Sequence, residues 1–208
     1  APRETITEGY RLEQQRLHAN PRYGVASLGY APLVASLLTI GGCRSLADYG
    51  AGKCNLKHAL RLKDGGPVAY HPYDPAFPDY GPPTPADLVT CIDVLEHIEP
   101  DLLDGLLDEL SGLARKLVLL TVHTGPAKKM LSDGRNAHLI QRPPSWWLER
   151  FAGRLEILHV QAVRKGFFVI AGAKGSYAQL RDSLDLEKLA AAAGKARPRK
   201  RSLLAKLK

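Results

Sequence analysis

Short apolar segments with strand character alternate with helical segments along most of the sequence. In the clearest strand, at residues 88–92, a single Thr90 interrupts a run of apolar residues, and Asp87 and Asp93 bound it. This composition is typical of a strand buried on both faces of a sheet. The segment at 102–113 instead repeats apolar residues at helical spacing. Such alternation predicts an α/β fold, with a mostly parallel sheet and flanking helices.

Hydrophobic periodicity and turn residues predict where each element lies. The expected strands are at 45–49, 68–73, 88–92 and 117–122, followed by a terminal antiparallel pair at 155–160 and 167–171. The expected helices are at 32–38, 55–62, 102–113 and 146–151. The stretch from 75 to 85 is rich in proline and glycine, so we expect an irregular loop there.

A glycine-containing turn follows the first predicted strand. It runs Asp48-Tyr49-Gly50-Ala51-Gly52 and leads into a predicted helix. Small residues in such a turn let a ligand approach the backbone, and the helix that follows offers free N–H groups. A tight turn without any ligand has the same pattern, so the turn by itself does not establish a binding site.

Two further predicted strands also end in polar residues. Asp74 follows the strand at 68–73, where a carboxylate can accept hydrogen bonds from the hydroxyls of a ribose. The strand at 88–92 continues into Asp-Val-Leu-Glu-His-Ile at 93–98. The carboxyl ends of parallel strands meet at one edge of the sheet, which is where open α/β sheets bind ligands. We therefore expect one ligand site at this edge.

The turn at 48–52, Asp74 and the stretch at 93–98 together resemble the class I S-adenosylmethionine-dependent methyltransferases, over roughly residues 25–172. The resemblance implies a Rossmann-like sheet and S-adenosyl-L-methionine as the cofactor. It implies transfer of a methyl group to an oxygen or nitrogen of a small-molecule, sugar or nucleotide-type substrate. The cofactor-binding residues that it implies are Asp48, Gly50, Gly52, Asp74, Cys91, Asp93 and Val94.

The sequence departs from the family pattern in two places. Cys54 stands where a third glycine is usual, at a position that mainly serves helix packing. Only 19 positions separate Asp74 from Asp93, so we expect the sheet to be shortened between the second and fourth strands of the family. The usual acidic adenine contact therefore has no clear match, and Asp79 and Asp87 are its only candidates.

Polar residues that could serve the methyl acceptor concentrate after the later strands. His123 closes the fourth predicted strand, and the loop beyond it carries Asp133, Arg135, Asn136 and His138. Such a density of hydrogen-bonding side chains suggests a substrate-binding loop, with a solvated connector as the alternative. Because imidazole titrates near neutral pH, His123 and His138 are the candidate general bases, with an ordinary polar role as the alternative.

Cysteine usage and hydropathy limit the class of protein. The three cysteines, Cys43, Cys54 and Cys91, show none of the close spacing of a zinc or redox motif, so we expect a reduced protein without a metal. No apolar run approaches the roughly 20 residues of a membrane-spanning helix. The N-terminus carries no apolar signal core, so we expect a cytoplasmic protein.

Basic charge is concentrated near the C-terminus. The net charge is +8, and residues 188–208 hold eight of the 29 basic residues and no acid. We therefore expect three parts, namely an N-terminal helical lid at 1–24, a methyltransferase domain at 25–187 and a basic C-terminal tail at 188–208. The tail has few residues able to enter a core, so we expect the domain to fold without it.

The basic tail suggests a macromolecular partner, with a solvated tail that binds nothing as the alternative. Its charges can neutralise phosphates of a nucleic acid, and its leucines can form a short amphipathic helix that binds a protein. A second function therefore stays open, in which the chain is a methyltransferase-like subunit with a binding or structural role in a nucleoprotein or virion assembly.

Overall fold

The computed structural model describes residues 5–20 and 23–196. The helices of this part are α1 (Glu8–His18), α2 (Ser27–Ile40), α3 (Asn55–Leu60), α4 (Leu103–Leu113), α5 (Pro144–Ala152), α6 (Tyr177–Ser183) and α7 (Leu186–Lys195). Its strands are β1 (Ser45–Tyr49), β2 (Ala69–Tyr73), β3 (Ala86–Ile92), β4 (Ala114–His123), β5 (Leu155–Val163) and β6 (Gly166–Ala173). Short 3-10 turns lie at Pro78–Tyr80, Leu95–His97 and Pro100–Leu102.

The six strands form one sheet in the order β2-β1-β3-β4-β6-β5. The first four strands are parallel, whereas β6 is antiparallel to both β4 and β5. This confirms the mostly parallel Rossmann-like α/β fold with a terminal antiparallel pair. The chain passes from β1 to β2 on one side and returns to β3 on the other side of β1. Such a reversal opens a crevice at the carboxyl ends of β1 and β3, where open α/β sheets bind ligands.

Helices cover both faces of the sheet. On one face, α4 and α5 bury an apolar cluster that includes Leu110, Trp147 and Phe151. On the opposite face, α2, α3 and α7 pack against strand residues such as Leu46 and Phe168. Helices cover the central strands on both faces, so side chains on either face are buried. This explains why these strands are nearly continuous runs of hydrophobic residues.

The connection between β2 and β3 is short, as predicted. It holds one 3-10 turn, Pro78–Tyr80, and no α-helix or strand. β2 is consequently one of the two edge strands of the sheet, and β5 is the other. The helix predicted at 32–38 is longer than expected, because α2 begins at Ser27 and buries Tyr30 and Ala31 before it reaches Pro32.

The expected boundary between domain and tail at residue 187 is wrong. It falls inside α7, which packs on α2 and β5 with Leu189 and Ala193 buried. Leu189 and Ala193 are four residues apart and so lie on the same helix face. The side chain of Asp185 begins the helix by accepting a hydrogen bond of 2.9 Å from the N–H of Lys188. The helix thus belongs to the domain although its composition is that of a solvated tail.

The rest of the predicted tail, residues 197–208, lies outside the described residues, as do residues 1–4 of the predicted lid. The nucleic-acid or protein partner of the tail therefore stays a prediction. Among residues 5–20 and 23–196, no helix is both long and apolar enough to cross a lipid bilayer.

Candidate functional site

A cavity of about 230 Å³ lies at the crevice between the carboxyl ends of β1 and β3. Its floor is formed by the segments that follow the strands, and part of its roof is α1. Eight of the residues predicted from the sequence line it, which are Asp48, Gly50, Gly52, Asp74, Asp93, Val94, His123 and His138. The polar ends of four separate strands therefore meet in one space.

The glycine turn after β1 is closely packed against its surroundings. The N–H groups of Gly50 and Ala51 both donate to the carbonyl of Tyr73, at 2.7 and 3.0 Å, and so join the turn to the end of β2. Gly50 has a φ of 82°, and a Cβ placed there would lie 2.3 Å from Cγ2 of Val94. A side chain at this position would therefore be both strained and in collision with a cavity residue.

Asp74 holds the glycine turn and the β2 loop together. Its two carboxylate oxygens accept hydrogen bonds from the N–H groups of Gly52 and Ala76, each at 2.9 Å. Burial raises the pKa of Asp74 above its ordinary value. Each oxygen keeps a second lone pair, so the carboxylate can still accept from a ligand in the cavity.

Asp48 is buried at the end of β1 and is hydrogen-bonded on both oxygens. Tyr70 donates to Oδ2 at 2.6 Å and Thr90 to Oδ1 at 3.2 Å. Burial raises the pKa of Asp48 to about 6, against an ordinary value of 3.8, although the two hydroxyl donors act in the opposite direction. The fold therefore disfavours the charged form of this carboxyl group.

This raised pKa predicts a pH-dependent stability. Between about pH 4 and 6 the unfolded chain releases the Asp48 proton before the folded chain does, so stability falls as the pH rises through this window. The contribution is up to about 3 kcal/mol, at 1.36 kcal/mol per pH unit. Urea unfolding from pH 4.5 to 7 should show a smaller loss of stability in Asp48→Asn than in the parent. Parallel curves for the two proteins would contradict the assignment.

Two more acids follow β3. Asp93 has a φ of 51°, and its side chain accepts a hydrogen bond from the hydroxyl of Thr121 on β4. Glu96 is fully buried, and its Oε1 accepts from the backbone N–H of His123 at 3.0 Å. Burial raises the pKa of both carboxyl groups, and the charge of Asp93 raises that of Glu96 further. This end of the cavity is therefore rich in carboxyl groups, and a bound cation would stabilise their charged forms.

Three imidazoles stand beside these acids. The ring centroid of His138 lies 4.7 Å from that of His97 and 4.6 Å from that of His123. Burial lowers the pKa of His97 to about 3 and also lowers that of His138. His97 and His138 are therefore neutral near pH 7, which leaves them able to accept a proton or bind a cation.

The loop after β4 does not deliver all of its predicted substrate-binding residues to the cavity. Asp133 and Arg135 are exposed and form an ion pair with each other at 2.7 Å. The Asn136 side chain bonds both the N–H and the carbonyl of Ala127, at 2.9 and 3.0 Å, and so holds the loop closed. Of the four loop residues predicted to bind substrate, His138 alone lines the cavity.

Three other residues proposed from the sequence are also placed elsewhere. Cys91 is fully buried with its side chain in the core under α4, so it does not line the cavity. Its side chain faces the α4 side of the sheet, whereas the adjacent Ile92 lines the cavity, because successive residues of a strand face opposite sides of the sheet. Asp87 lies at the opposite end of β3 and accepts from the N–H of Arg44. Asp79 is exposed on the turn after β2 and does not line the cavity either.

The roof of the cavity includes residues that the sequence reasoning did not identify. Tyr10, Gln14 and His18 line it from successive turns of α1. The hydroxyl of Tyr10 donates to the carbonyl of His97 at 2.6 Å. Their spacing of four residues was the available signal, since it places all three on one helix face.

Known structures resemble this fold, although the chain matches no protein-family model and no curated protein sequence at a significant level. A Burkholderia thailandensis 1,6-didemethyltoxoflavin-N1-methyltransferase with bound S-adenosylhomocysteine is 15% identical, with a TM-score of 0.57 over 83% of this chain and 92% of that one. An S-adenosylmethionine-dependent methyltransferase from Clostridium acetobutylicum is 11% identical, with a TM-score of 0.54 over 81% and 100%. A Synechocystis magnesium protoporphyrin IX methyltransferase with bound S-adenosylmethionine is 14% identical, with a TM-score of 0.51 over 81% and 92%.

The fold is that of the class I S-adenosylmethionine-dependent methyltransferases. At these identities the likeness concerns the methyltransferase fold, whereas the chemistry of the site depends on the residues that line the cavity of this chain.

Proposed function

We propose that this protein is an S-adenosylmethionine-dependent methyltransferase that transfers a methyl group to an oxygen or nitrogen of a small-molecule, sugar or nucleotide-type acceptor. One observation carries the proposal. The glycine turn after β1, Asp74 after β2 and Asp93 after β3 converge on one cavity at the crevice of a methyltransferase fold. These segments are far apart in sequence, and each ends a different strand.

The chemistry of the cavity fits the proposed cofactor. S-adenosylmethionine carries a ribose and two positive groups, an ammonium and a sulfonium. Asp74 has lone pairs available for the ribose hydroxyls, beside the turn where Gly50 and Gly52 allow close approach. In the proposed binding mode Asp48 would face the methionine part of the cofactor. Asp93 and Val94, which also line the cavity, would face the sulfonium, and a carboxyl group suits such a positive neighbour.

The acceptor side of the proposed site is the histidine-lined end of the cavity. When bound, S-adenosylmethionine supplies an activated methyl group on a positively charged sulfur. The protein then has to place the acceptor in line with that methyl group and take up a proton where the acceptor carries one. His123 and His138 both line this end and are the proposed general bases.

The N-terminal segment is proposed to act as a lid. α1 covers the cavity with Tyr10, Gln14 and His18. Its start is held by Glu99, whose carboxylate accepts from both the N–H and the hydroxyl of Thr7 at 2.8 Å. A covered cavity excludes water, which strengthens the interaction of the acids with a cationic ligand.

Titration calorimetry with S-adenosylmethionine tests the proposal. We expect the parent to bind the donor, and we expect Asp74→Ala to bind it roughly ten- to a hundredfold more weakly. The reason is that hydrogen bonds to a charged group are worth about 1.5–3 kcal/mol. Asp79→Ala is the matched control, because Asp79 is an exposed carboxylate five residues away that does not line the cavity.

Two outcomes would contradict the proposal. An unchanged affinity in a folded Asp74→Ala variant would place the ribose elsewhere. Absence of donor binding by the parent at millimolar concentration would remove the enzymatic function and favour a binding or structural role for the methyltransferase fold.

A further inference from the structure

Two histidines and a glutamate form a compact cluster at the acceptor end of the cavity. Glu96 and His97 lie on the 3-10 turn after β3, and His138 comes from the loop between β4 and α5. One potential ligand atom from each lies within 4.8 Å of those of the other two. Two distant parts of the chain therefore bring two imidazoles and a carboxylate to one point.

Hydrogen bonds orient both imidazoles for coordination. Nδ1 of His97 lies 2.7 Å from the carbonyl oxygen of Ala137, and Nδ1 of His138 lies 2.7 Å from that of Gly125. A carbonyl oxygen only accepts, so each Nδ1 carries the hydrogen and each Nε2 keeps its lone pair. Metal-ligating histidines are typically fixed in this way, by donating the other ring N–H to a backbone carbonyl.

Glu96 supplies an independent observation. Its side chain is fully buried, and Oε1 accepts from the N–H of His123. Its Oε2 has no hydrogen-bond partner among residues 5–20 and 23–196. A buried carboxylate oxygen without a partner is costly, because nothing replaces the water that it loses on folding. A cation at the cluster would supply that missing partner.

We propose that Glu96, His97 and His138 bind one divalent transition-metal ion. Two imidazole nitrogens and one carboxylate oxygen favour ions such as Zn²⁺ or Co²⁺ over Mg²⁺ and Ca²⁺, which prefer oxygen ligands alone. Three protein ligands leave at least one coordination position for another molecule. The cluster lines the cavity, so that position is accessible to the methyl acceptor.

Such an ion narrows the substrate class to hydroxyl-bearing acceptors, an inference that rests on the proposed methyltransferase function. A metal-bound hydroxyl loses its proton more easily than a free one. His138 would then hold the ion through its Nε2 lone pair and could not act as the base, so the proton would pass to His123, the other histidine of this end of the cavity. The acceptor oxygen then forms a bond to the methyl carbon while the carbon–sulfur bond breaks. The bonding pair stays on sulfur, and S-adenosylhomocysteine is released.

Cobalt binding by the metal-free full chain tests the site without any reference to activity. After dialysis against a chelator, titration with Co²⁺ should show one equivalent bound, with the visible absorption bands of a nitrogen- and oxygen-ligated ion. Bound metal should also raise the midpoint of thermal unfolding, because it binds the folded chain. Mg²⁺ should compete weakly. Absence of a bound equivalent at millimolar Co²⁺ would overturn the proposal.

Matched variants locate the ion. Glu96→Gln keeps an oxygen for the N–H of His123 but loses the charge, and His138→Gln loses one imidazole. We expect either variant to weaken Co²⁺ binding at least tenfold. His58→Gln is the control, because His58 is exposed on α3. Unchanged Co²⁺ affinity in a folded Glu96→Gln or His138→Gln protein would overturn the site. If either variant fails to fold, Co²⁺ must still raise the unfolding midpoint of the parent.

The donor and the metal are measured separately, so the two proposals fail in different ways. Loss of donor binding in the parent, with Co²⁺ binding intact, removes the methyltransferase function and leaves the metal site. Donor binding in the parent without any Co²⁺ binding removes the metal site and leaves the methyltransferase function.

Discussion

A chain that ends at residue 187 is expected to unfold roughly 10 °C below one that ends at residue 196. The shorter chain lacks most of α7 and with it Leu189 and Ala193, which are 2% and 0% exposed. Burying one leucine contributes about 1.5–3 kcal/mol, and the shorter chain also exposes the apolar surface of α2 that α7 covers. We therefore expect a loss of about 3–5 kcal/mol, which at 2–4 °C per kcal/mol gives this shift.

Differential scanning calorimetry on the two truncated chains and the full chain measures the effect. The chain that ends at 196 is the matched control, because it keeps α7 and removes only residues outside the described structure. Equal midpoints for the two truncated chains would show that the contact between α7 and α2 adds nothing to stability.

Gly50→Ala is expected to cost about 2–5 kcal/mol and to weaken donor binding more than tenfold. A left-handed backbone costs a non-glycine residue about 1–2 kcal/mol. The added methyl group would also lie 2.3 Å from Cγ2 of Val94, and such overpacking typically costs 1–3 kcal/mol. Because Gly50 and Val94 both line the cavity, the collision distorts the proposed cofactor site as well as the fold.

Gly134→Ala is the control that separates the cost of a left-handed backbone from the cost of the collision with Val94. Gly134 has a φ of 83°, nearly that of Gly50, and no atom lies within 4 Å of where its Cβ would be. Urea unfolding should therefore show a distinctly larger loss for Gly50→Ala than for Gly134→Ala, and adding Val94→Ala should recover part of it. Equal losses in the two glycine variants would refute the collision.

The strands and the glycine turn could be predicted because the pattern of residues within each short segment is enough to indicate its structure. A buried strand between two helical layers needs a run of apolar residues, so β1 was predicted with its observed bounds, 45–49. The polar positions at strand ends followed from the geometry of parallel sheets, which placed Asp48, Asp74 and Asp93 at one edge.

Other features depend on contacts between distant residues and carry no local pattern. Asp133 and Arg135 have the composition of a binding loop, yet they pair with each other in solvent. α7 has the composition of a tail, and its contacts with α2 and β5 show that it belongs to the core. The Glu96–His138 proximity likewise depends on how the loop after β4 returns over β3. The cysteine spacing that argued against a metal carries no information about such a cluster.

The short connection between β2 and β3 leaves one side of β2 without a neighbouring strand. An open strand edge is a template for pairing with another chain, and such pairing leads to aggregation. Pro72 is the fourth of the five residues of β2 and has no N–H to donate to an incoming strand. An incoming strand could therefore not complete its hydrogen bonds along this edge of β2, which works against association between exposed sheet edges.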